Sequence, residues 1–524
     1  MTDYATRRDA AYVARLQPAL EEFASQFGIN AKSNHNKPRT IFLFPGGIGS
    51  QLMRSYQPYP DPPQSYEKVW FDLDFIIDGP RFALLPGGID TEQKYVIPDG
   101  CVDIPGPYDF LHPYAVFIQW CRQNSIDLFV FGWDWRRSVQ DAADFFLNIF
   151  LPMFDARFGH TPHPLDHFSL VGHSAGGMVI KAILNSTDNQ YVRRIKKAIT
   201  VSTPFYGYGD QIRRYLKGDP LLNSSEFPPS VTTKIISSMP GLYEYLYLDY
   251  PTYLANQREL AHDPEEYNLT EYPSMDYDDP TEVADPYDPQ LGADGTLRYP
   301  LDYGFESSLL YRANSTVRNV ARAITDPAIA GTFYNIRGVK SSNGTVVNST
   351  AVSISWKRIS SNFDPDEDPD PIEDKMGPGD GTQPAWTARL LGLPAGHVIT
   401  IVGDEIEHLR MMNLPRVQSK IAELLGLDPG GMMFAPANIT PLAASLSDFK
   451  GFLDGLRRVT AGRDLTPERR NVLKTTYLRT FTPEQLQLFL ARYLLEAQRQ
   501  PSETTEPPRS SQGAPVQRGP APQK

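Results

Sequence analysis

Residues 167–184 read His167-Phe-Ser-Leu-Val-Gly-His-Ser-Ala-Gly-Gly-Met-Val-Ile-Lys-Ala-Ile-Leu184. The stretch opens as a short apolar run, His167 to Val171, of the kind a fully buried strand shows. It continues as Gly172-His173-Ser174-Ala175-Gly176, a G-x-S-x-G match. It closes with Met178, Val179, Ala182 and Ile183 on one helical face. By residue frequencies alone the five-residue match arises in roughly one of five or six chains of this length. The strand before it and the helix after it carry the information, because a serine on a sharp strand-to-helix turn is lifted above a sheet and exposed.

Outward from this centre, further apolar runs bounded by turn residues predict more strands. Thr40 to Phe44 stops at Pro45-Gly46-Gly47. Asp127 to Phe131, Lys197 to Val201, Thr332 to Val339 and His397 to Val402 follow. Strand, helix, strand at this spacing is a βαβ unit, so the sheet is expected to be mostly parallel and flanked by helices, an α/β class.

The chain has 524 residues, ample for a large core, with 41% hydrophobic and 21% charged residues. Its net charge of −12 lacks the basic footprint that nucleic acid requires. It holds two cysteines, Cys101 and Cys121, which excludes a disulfide framework and a cysteine-rich metal site. No metal and no cofactor are expected. No stretch approaches 18 apolar residues, so no transmembrane segment is expected. The most apolar run, Phe145 to Phe154, is interrupted by Asn148 and Pro152. No secretory signal is read at the start, and few cysteines fit a reducing compartment, so the expected location is cytoplasmic.

A nucleophilic Ser174 needs a base, and the base needs an orienting acid. For a nucleophile on such a turn the chain order is serine, acid, histidine. After Ser174 come His262, His397 and His408. His397 starts a strand and so lies at the wrong edge of the sheet. His408 follows that strand, where loops converge on the serine. The acid is expected to be Asp380 in Gly379-Asp-Gly-Thr382, with Asp294 and Asp404 as rivals. The developing oxyanion needs two backbone donors, one from the residue after the nucleophile, Ala175, and one from the loop after an early strand. Gly47 in Pro45-Gly-Gly-Ile-Gly-Ser50 is the position expected. His173, beside the serine, reads as structural.

The chain divides into a helical, polar lead-in (1–37), a main domain (38–428), a helical appendix (440–500) and a Pro-rich disordered tail (501–524). The main domain carries a lid insertion at about 55–115 and a Tyr-, Pro- and Asp-rich cap insertion at about 205–330. In the appendix, Leu486, Phe489, Leu490, Tyr493 and Leu494 share a helical face that has to be buried, within the chain or in a homodimer in preference to a membrane surface. The acidic stretch Asp364-Pro-Asp-Glu-Asp-Pro-Asp lacks EF-hand spacing and reads as a solvated loop.

An ordered set of motifs now resembles a known family. It comprises Pro45-Gly-Gly-Ile-Gly-Ser-Gln-Leu52, Val69-Trp-Phe-Asp-Leu73, Asp134-Trp135-Arg136, Gly172-His-Ser-Ala-Gly-Gly177, Ser202-Thr-Pro-Phe-Tyr-Gly207, Gly379-Asp-Gly-Thr382 and Glu407-His-Leu-Arg-Met411. Together, over roughly residues 38–428, they are similar to the lecithin:cholesterol acyltransferase-like family, which includes lysosomal phospholipase A2 and phospholipid:diacylglycerol acyltransferase. The resemblance implies an α/β-hydrolase fold with lid and cap. It implies a catalytic triad of Ser174, Asp380 and His408, oxyanion donors Gly47 and Ala175, and a place near the substrate for Trp135. A buried strand-end cluster is the competing reading of Asp134-Trp135-Arg136. The implied activity is a serine esterase, lipase or acyltransferase on carboxylic, lipid-like esters. A catalytically silent binding protein on the same fold is the alternative. The family's lid disulfide has no counterpart, and Gln383 stands where the family often has Val.

Overall fold

The computed structural model describes residues 2–33, 40–61, 63, 65–70, 82–102, 113–158, 164–219, 222–223, 227–249, 251–255, 307–356, 364–368, 372–427 and 431–433. The appendix and tail, most of the cap centre, His262 and Asp294 lie outside them. So do the residues on which the homodimer expectation rests.

Among the described residues, six strands form the parallel part of a seven-stranded sheet, whose seventh strand, Thr345–Val346, pairs antiparallel with the end of the fifth. In chain order they are β1 (Thr40–Phe44), β2 (Asp127–Val130), β3 (Phe168–His173), β4 (Ile195–Val201), β5 (Phe333–Ser342) and β6 (Val398–Gly403). Their order in space is 6-5-4-3-1-2, and every pairing between them is parallel. Each strand matches an apolar run of the sequence to within a few residues, because a strand covered on both faces needs apolar side chains at every position. β1 and β3 are buried along their whole length. The chain reverses direction across the sheet between β1 and β3, and such a switch point leaves a crevice beyond the carboxyl ends of the two strands. Those ends are Phe44, leading to Pro45-Gly46-Gly47, and His173, leading to Ser174.

The two faces of the sheet separate two apolar clusters. Phe42 and Phe44 point into one, Ile41 and Leu43 into the other. Phe42 is ringed by Phe129, Phe146, Phe150, Phe154 and Phe168 at centroid distances of 5.2–6.0 Å. The interrupted apolar run at Phe145 to Phe154 is thus a buried helical segment. It carries a π turn over Phe146–Phe150 and runs on to Arg157. The first helix, Thr2–Ser33, is not a polar appendage. Its Tyr12, Leu16, Leu20, Phe23 and Phe27 recur at helical spacing and join the same core.

In the lid region, Ser50–Pro58, Tyr66–Trp70 and Lys94–Cys101 make a small antiparallel sheet. A buried charge cluster ties it to the body. The Arg136 guanidinium pairs with Asp90 and, at 2.7 Å, with Asp134, and it donates to the Phe82 carbonyl at 2.9 Å. Tyr4 of the first helix also bonds Asp90. Burial alone would weaken both charges, but the facing Arg136 and Arg137 hold the Asp134 carboxyl far below its usual range. Arg136→Ala should strand the buried Asp90 without a counter-charge and leave Asp134 paired with Arg137 alone, at a cost of about 3–5 kcal/mol. A denaturation midpoint unchanged in the variant would contradict this.

Cap helices Asp210–Lys217, Pro229–Ser237, Pro240–Tyr243 and Ser307–Ala321 sit beyond the β4 end. Glu244 pins them to the body: it accepts from Ser138 Oγ at 2.5 Å and from the Val139 amide at 2.8 Å. Burial pushes its pKa from 4.5 up to about 8. The folded state therefore holds a proton that the unfolded state releases, so this group's contribution to stability is lost as pH rises from 4.5 to about 8. Glu244→Gln should flatten that decline. Parallel stability–pH curves for the two proteins would refute the assignment.

Candidate active site

Ser174 sits between β3 and the helix Ala175–Asn185 with φ 52° and ψ −131°, a conformation that a side chain rarely adopts. Glycines make the turn feasible. A Cβ on Gly176 would lie 2.1 Å from the Phe44 carbonyl, and one on Gly172 would lie 2.7 Å from the Gly176 carbonyl. The strand, the turn and the helix therefore close against β1, and Ser174 is held at the crevice. The Ser174 amide donates to the Val201 carbonyl at 2.8 Å.

His408 begins a 3-10 turn, His408–Asn413, just past β6. Its Nδ1 lies 2.9 Å from Asp380 Oδ2, and its amide donates to the Asp380 carbonyl at 2.9 Å. Asp380 Oδ1 accepts from the amides of Thr382 at 3.1 Å and Gln383 at 2.7 Å. Burial alone would raise the Asp380 pKa. The imidazole and the Gln383 amide outweigh it and hold the carboxyl below its usual range. The long excursion after β5 returns to that strand's end, where the Lys340 amide donates to the Gly379 carbonyl at 2.8 Å. An antiparallel pair, Thr350–Trp356 with Ile372–Gly377, occupies much of that excursion.

The rivals among the described residues, Asp404 and His397, lie elsewhere. Asp404 accepts from Ser341 Oγ and from the Asn343 amide, beside the hairpin at the end of β5. His397 Nδ1 lies 2.8 Å from the Phe333 carbonyl, at the amino end of the sheet.

Ser174, His408, Gly47 and Ala175 line one cavity of about 170 Å³. Its walls include Trp70, Val102, Tyr114, Tyr208, Leu242 and Tyr245, with Arg214, Thr382 and Gln383 as polar members. Trp135 is not among the wall residues. It packs edge-on against Trp70 with centroids 5.1 Å apart, so the indole that meets the cavity is Trp70. The substrate contact expected of Trp135 is corrected accordingly. Asp134-Trp135-Arg136 is the buried strand-end cluster described above.

Tyr114 was not singled out in the sequence, yet it wires the site. Its hydroxyl accepts from the Gly46 amide at 2.6 Å and faces His173 Nδ1 at 3.1 Å. His173 Nε2 lies 2.9 Å from the His408 carbonyl. Burial, and then the neighbouring His408, push the His173 pKa from 6.5 down to about 3. The ring is neutral at working pH, so Nε2–H donates to His408 and Nδ1 accepts from Tyr114. His173 thus links the loop after β1 to the His408 turn. With the Gly46 amide occupied by Tyr114, the next amide of that loop is Gly47. Tyr114 and Tyr245 lack a sequence signal because each reaches the cavity from a distant segment, whereas Trp70 lies in the Val69–Leu73 motif.

Among the described residues no three or more His, Cys, Asp or Glu side chains gather as a metal site, and no helix is long and apolar enough to cross a membrane. Cys101 and Cys121 form no disulfide among the described residues.

A parallel sheet with a serine on a strained turn and a histidine–carboxylate pair at the same end defines an α/β-hydrolase. Residues 114–270 match the family model of lecithin:cholesterol acyltransferase, and the match supports assignment of the chain to lecithin:cholesterol acyltransferase-like α/β-hydrolases. The match supports the class of a serine hydrolase or acyltransferase acting on ester bonds. No curated protein matches the sequence. Among solved structures, the chain is similar to one titled "The crystal structure of Tle4-Tli4 complex". The identity is 15%, the TM-score 0.43, and the match covers 75% of this chain and 98% of that one.

Proposed function

We propose that Ser174 is the nucleophile, His408 its base, Asp380 the orienting acid, and the Gly47 and Ala175 amides the oxyanion donors, in the cleavage of a lipid ester. The observation that carries this reading is the Asp380–His408 pair at 2.9 Å, opening on the cavity that Ser174 lines. With Nδ1 engaged by Asp380, Nε2 is free to accept the serine proton. Ser174 Oγ attacks the acyl carbonyl, and the carbonyl oxygen takes up negative charge toward the two amides. The intermediate collapses as His408 returns the proton to the leaving alcohol. Water or a second alcohol, deprotonated by the same histidine, then takes the acyl group from the serine. The apolar walls at Trp70, Val102 and Leu242 suit an acyl chain.

The test is labelling with a fluorophosphonate probe, followed by a panel of acyl donors with and without alcohol acceptors, read by mass spectrometry. An adduct on Ser174 and release of free fatty acid or a new ester are expected. Absence of any adduct at Ser174 would favour a catalytically silent binder.

A further inference from the structure

Tyr245 stands out among the residues around the cavity. It is 5% exposed, and its hydroxyl oxygen is buried with no hydrogen-bond partner among the described residues. A buried hydroxyl left unpaired is costly, and where one persists it calls for an explanation. Its position supplies one. A Cβ placed on Gly47 would lie 2.6 Å from Tyr245 Oη, so the hydroxyl rests directly over the Gly47 backbone. On the same loop, a Cβ placed on Gly46 would lie 3.0 Å from Ser174 Cβ. The tyrosine hydroxyl, the Gly46–Gly47 loop and the nucleophile therefore meet at one end of one cavity.

The backbone of Tyr245 is held from several sides. Its amide donates to the Leu242 carbonyl at 3.3 Å, and its carbonyl accepts from the Tyr208 amide at 3.1 Å. The neighbouring Glu244 is bonded to Ser138 and Val139. Burial, with Tyr208 and Glu244 nearby, raises the phenol's pKa well above 10, so the hydroxyl keeps its proton to donate. A donor fixed in place before the reaction loses nothing to reorganisation when charge develops beside it.

We propose that Tyr245 is a catalytic residue: its hydroxyl donates a hydrogen bond to the acyl oxygen as that oxygen becomes an oxyanion, a third donor beside the Gly47 and Ala175 amides. The inference rests on the reading of Ser174 as nucleophile. It also gives Gly47 a second reason to be glycine, since any side chain there would displace the hydroxyl. The oxyanion hole is then completed by the cap and not by the sheet alone.

The test compares the full-length protein with Tyr245→Phe on a p-nitrophenyl ester and on the matching thionoester, whose sulfur is a weak hydrogen-bond acceptor. In the variant kcat on the ester should fall about 10²-fold, with KM within a few-fold of the parent. The preference for ester over thionoester should shrink, because the lost donor mattered to oxygen more than to sulfur. Thermal stability should be unchanged or higher, since the hydroxyl removed has no partner. Unchanged kcat overturns the proposal. A fall in kcat with an unchanged oxygen-to-sulfur preference overturns it too, since that marks a cavity that has merely shifted. Fluorophosphonate labelling separates the two readings. A parent protein that is not labelled at Ser174 brings down both, whereas a labelled, active parent matched by Tyr245→Phe brings down only this one.

Discussion

Ser174→Ala should lower kcat for ester cleavage by roughly 10⁴- to 10⁶-fold while leaving the fold intact. The size follows from the chemistry: without Oγ there is no acyl-enzyme, and what remains is whatever rate the amides and the cavity lend to water. The small effect on stability follows from the geometry. The serine side chain does not cap the helix that follows it. Alanine keeps the same Cβ, so the strain at φ 52° is the same in both proteins. A melting temperature within a few degrees of the parent, together with loss of turnover, is the expected pair of results. Retention of more than a few per cent of kcat would remove Ser174 from the role.

Asp380→Asn should cost about 10⁴-fold in kcat, and the hydrogen bonds around Asp380 give the reason. Oδ1 accepts from two backbone amides, those of Thr382 and Gln383. In asparagine only the carbonyl oxygen can occupy that position, so the NH₂ group must face His408 Nδ1. An NH₂ donor there forces Nδ1 to accept and moves the ring proton to Nε2. Nε2 can then no longer take the proton of Ser174. The side-chain volume is conserved, so substrate binding should change little and the loss should fall on kcat. Equal damage to KM would point to a collapsed loop, and an unimpaired variant would show that Asp380 is not the orienting acid.

Much of the sheet was legible in the sequence, and the reason is local. A parallel strand covered on both faces leaves an apolar run, and Thr40–Phe44 and Phe168–Val171 announce themselves with no knowledge of their neighbours. Ser174 was legible for a similar reason. The steric demand that makes Gly172 and Gly176 glycines arises within the strand-turn-helix segment and its contact with β1. Asp380 and His408 were reached through chain order and through the strand that precedes each loop, which is also local information. The first helix was read as helical, but as polar. Its apolar positions are spread thinly over Thr2–Ser33, and their common face becomes plain only once they meet the core.

What the sequence alone determined, then, is the α/β layering, the turn that carries Ser174 and the order of the residues that can serve it. These depend on short-range pattern and on glycine sterics. Tertiary structure decided which side chains complete the cavity. Tyr114 reaches the Gly46 amide and His173 from the N-cap of the helix Ala115–Gln123 that precedes β2. Trp70 comes from the lid and takes the wall position expected of Trp135. Tyr245 comes from the cap and sets its hydroxyl over Gly47. Apart from Trp70, which lies in the Val69–Leu73 motif, each is an ordinary aromatic residue in an ordinary segment. Its role exists only because the packed fold brings a distant polar atom within bonding range, and no periodicity along the chain records that approach.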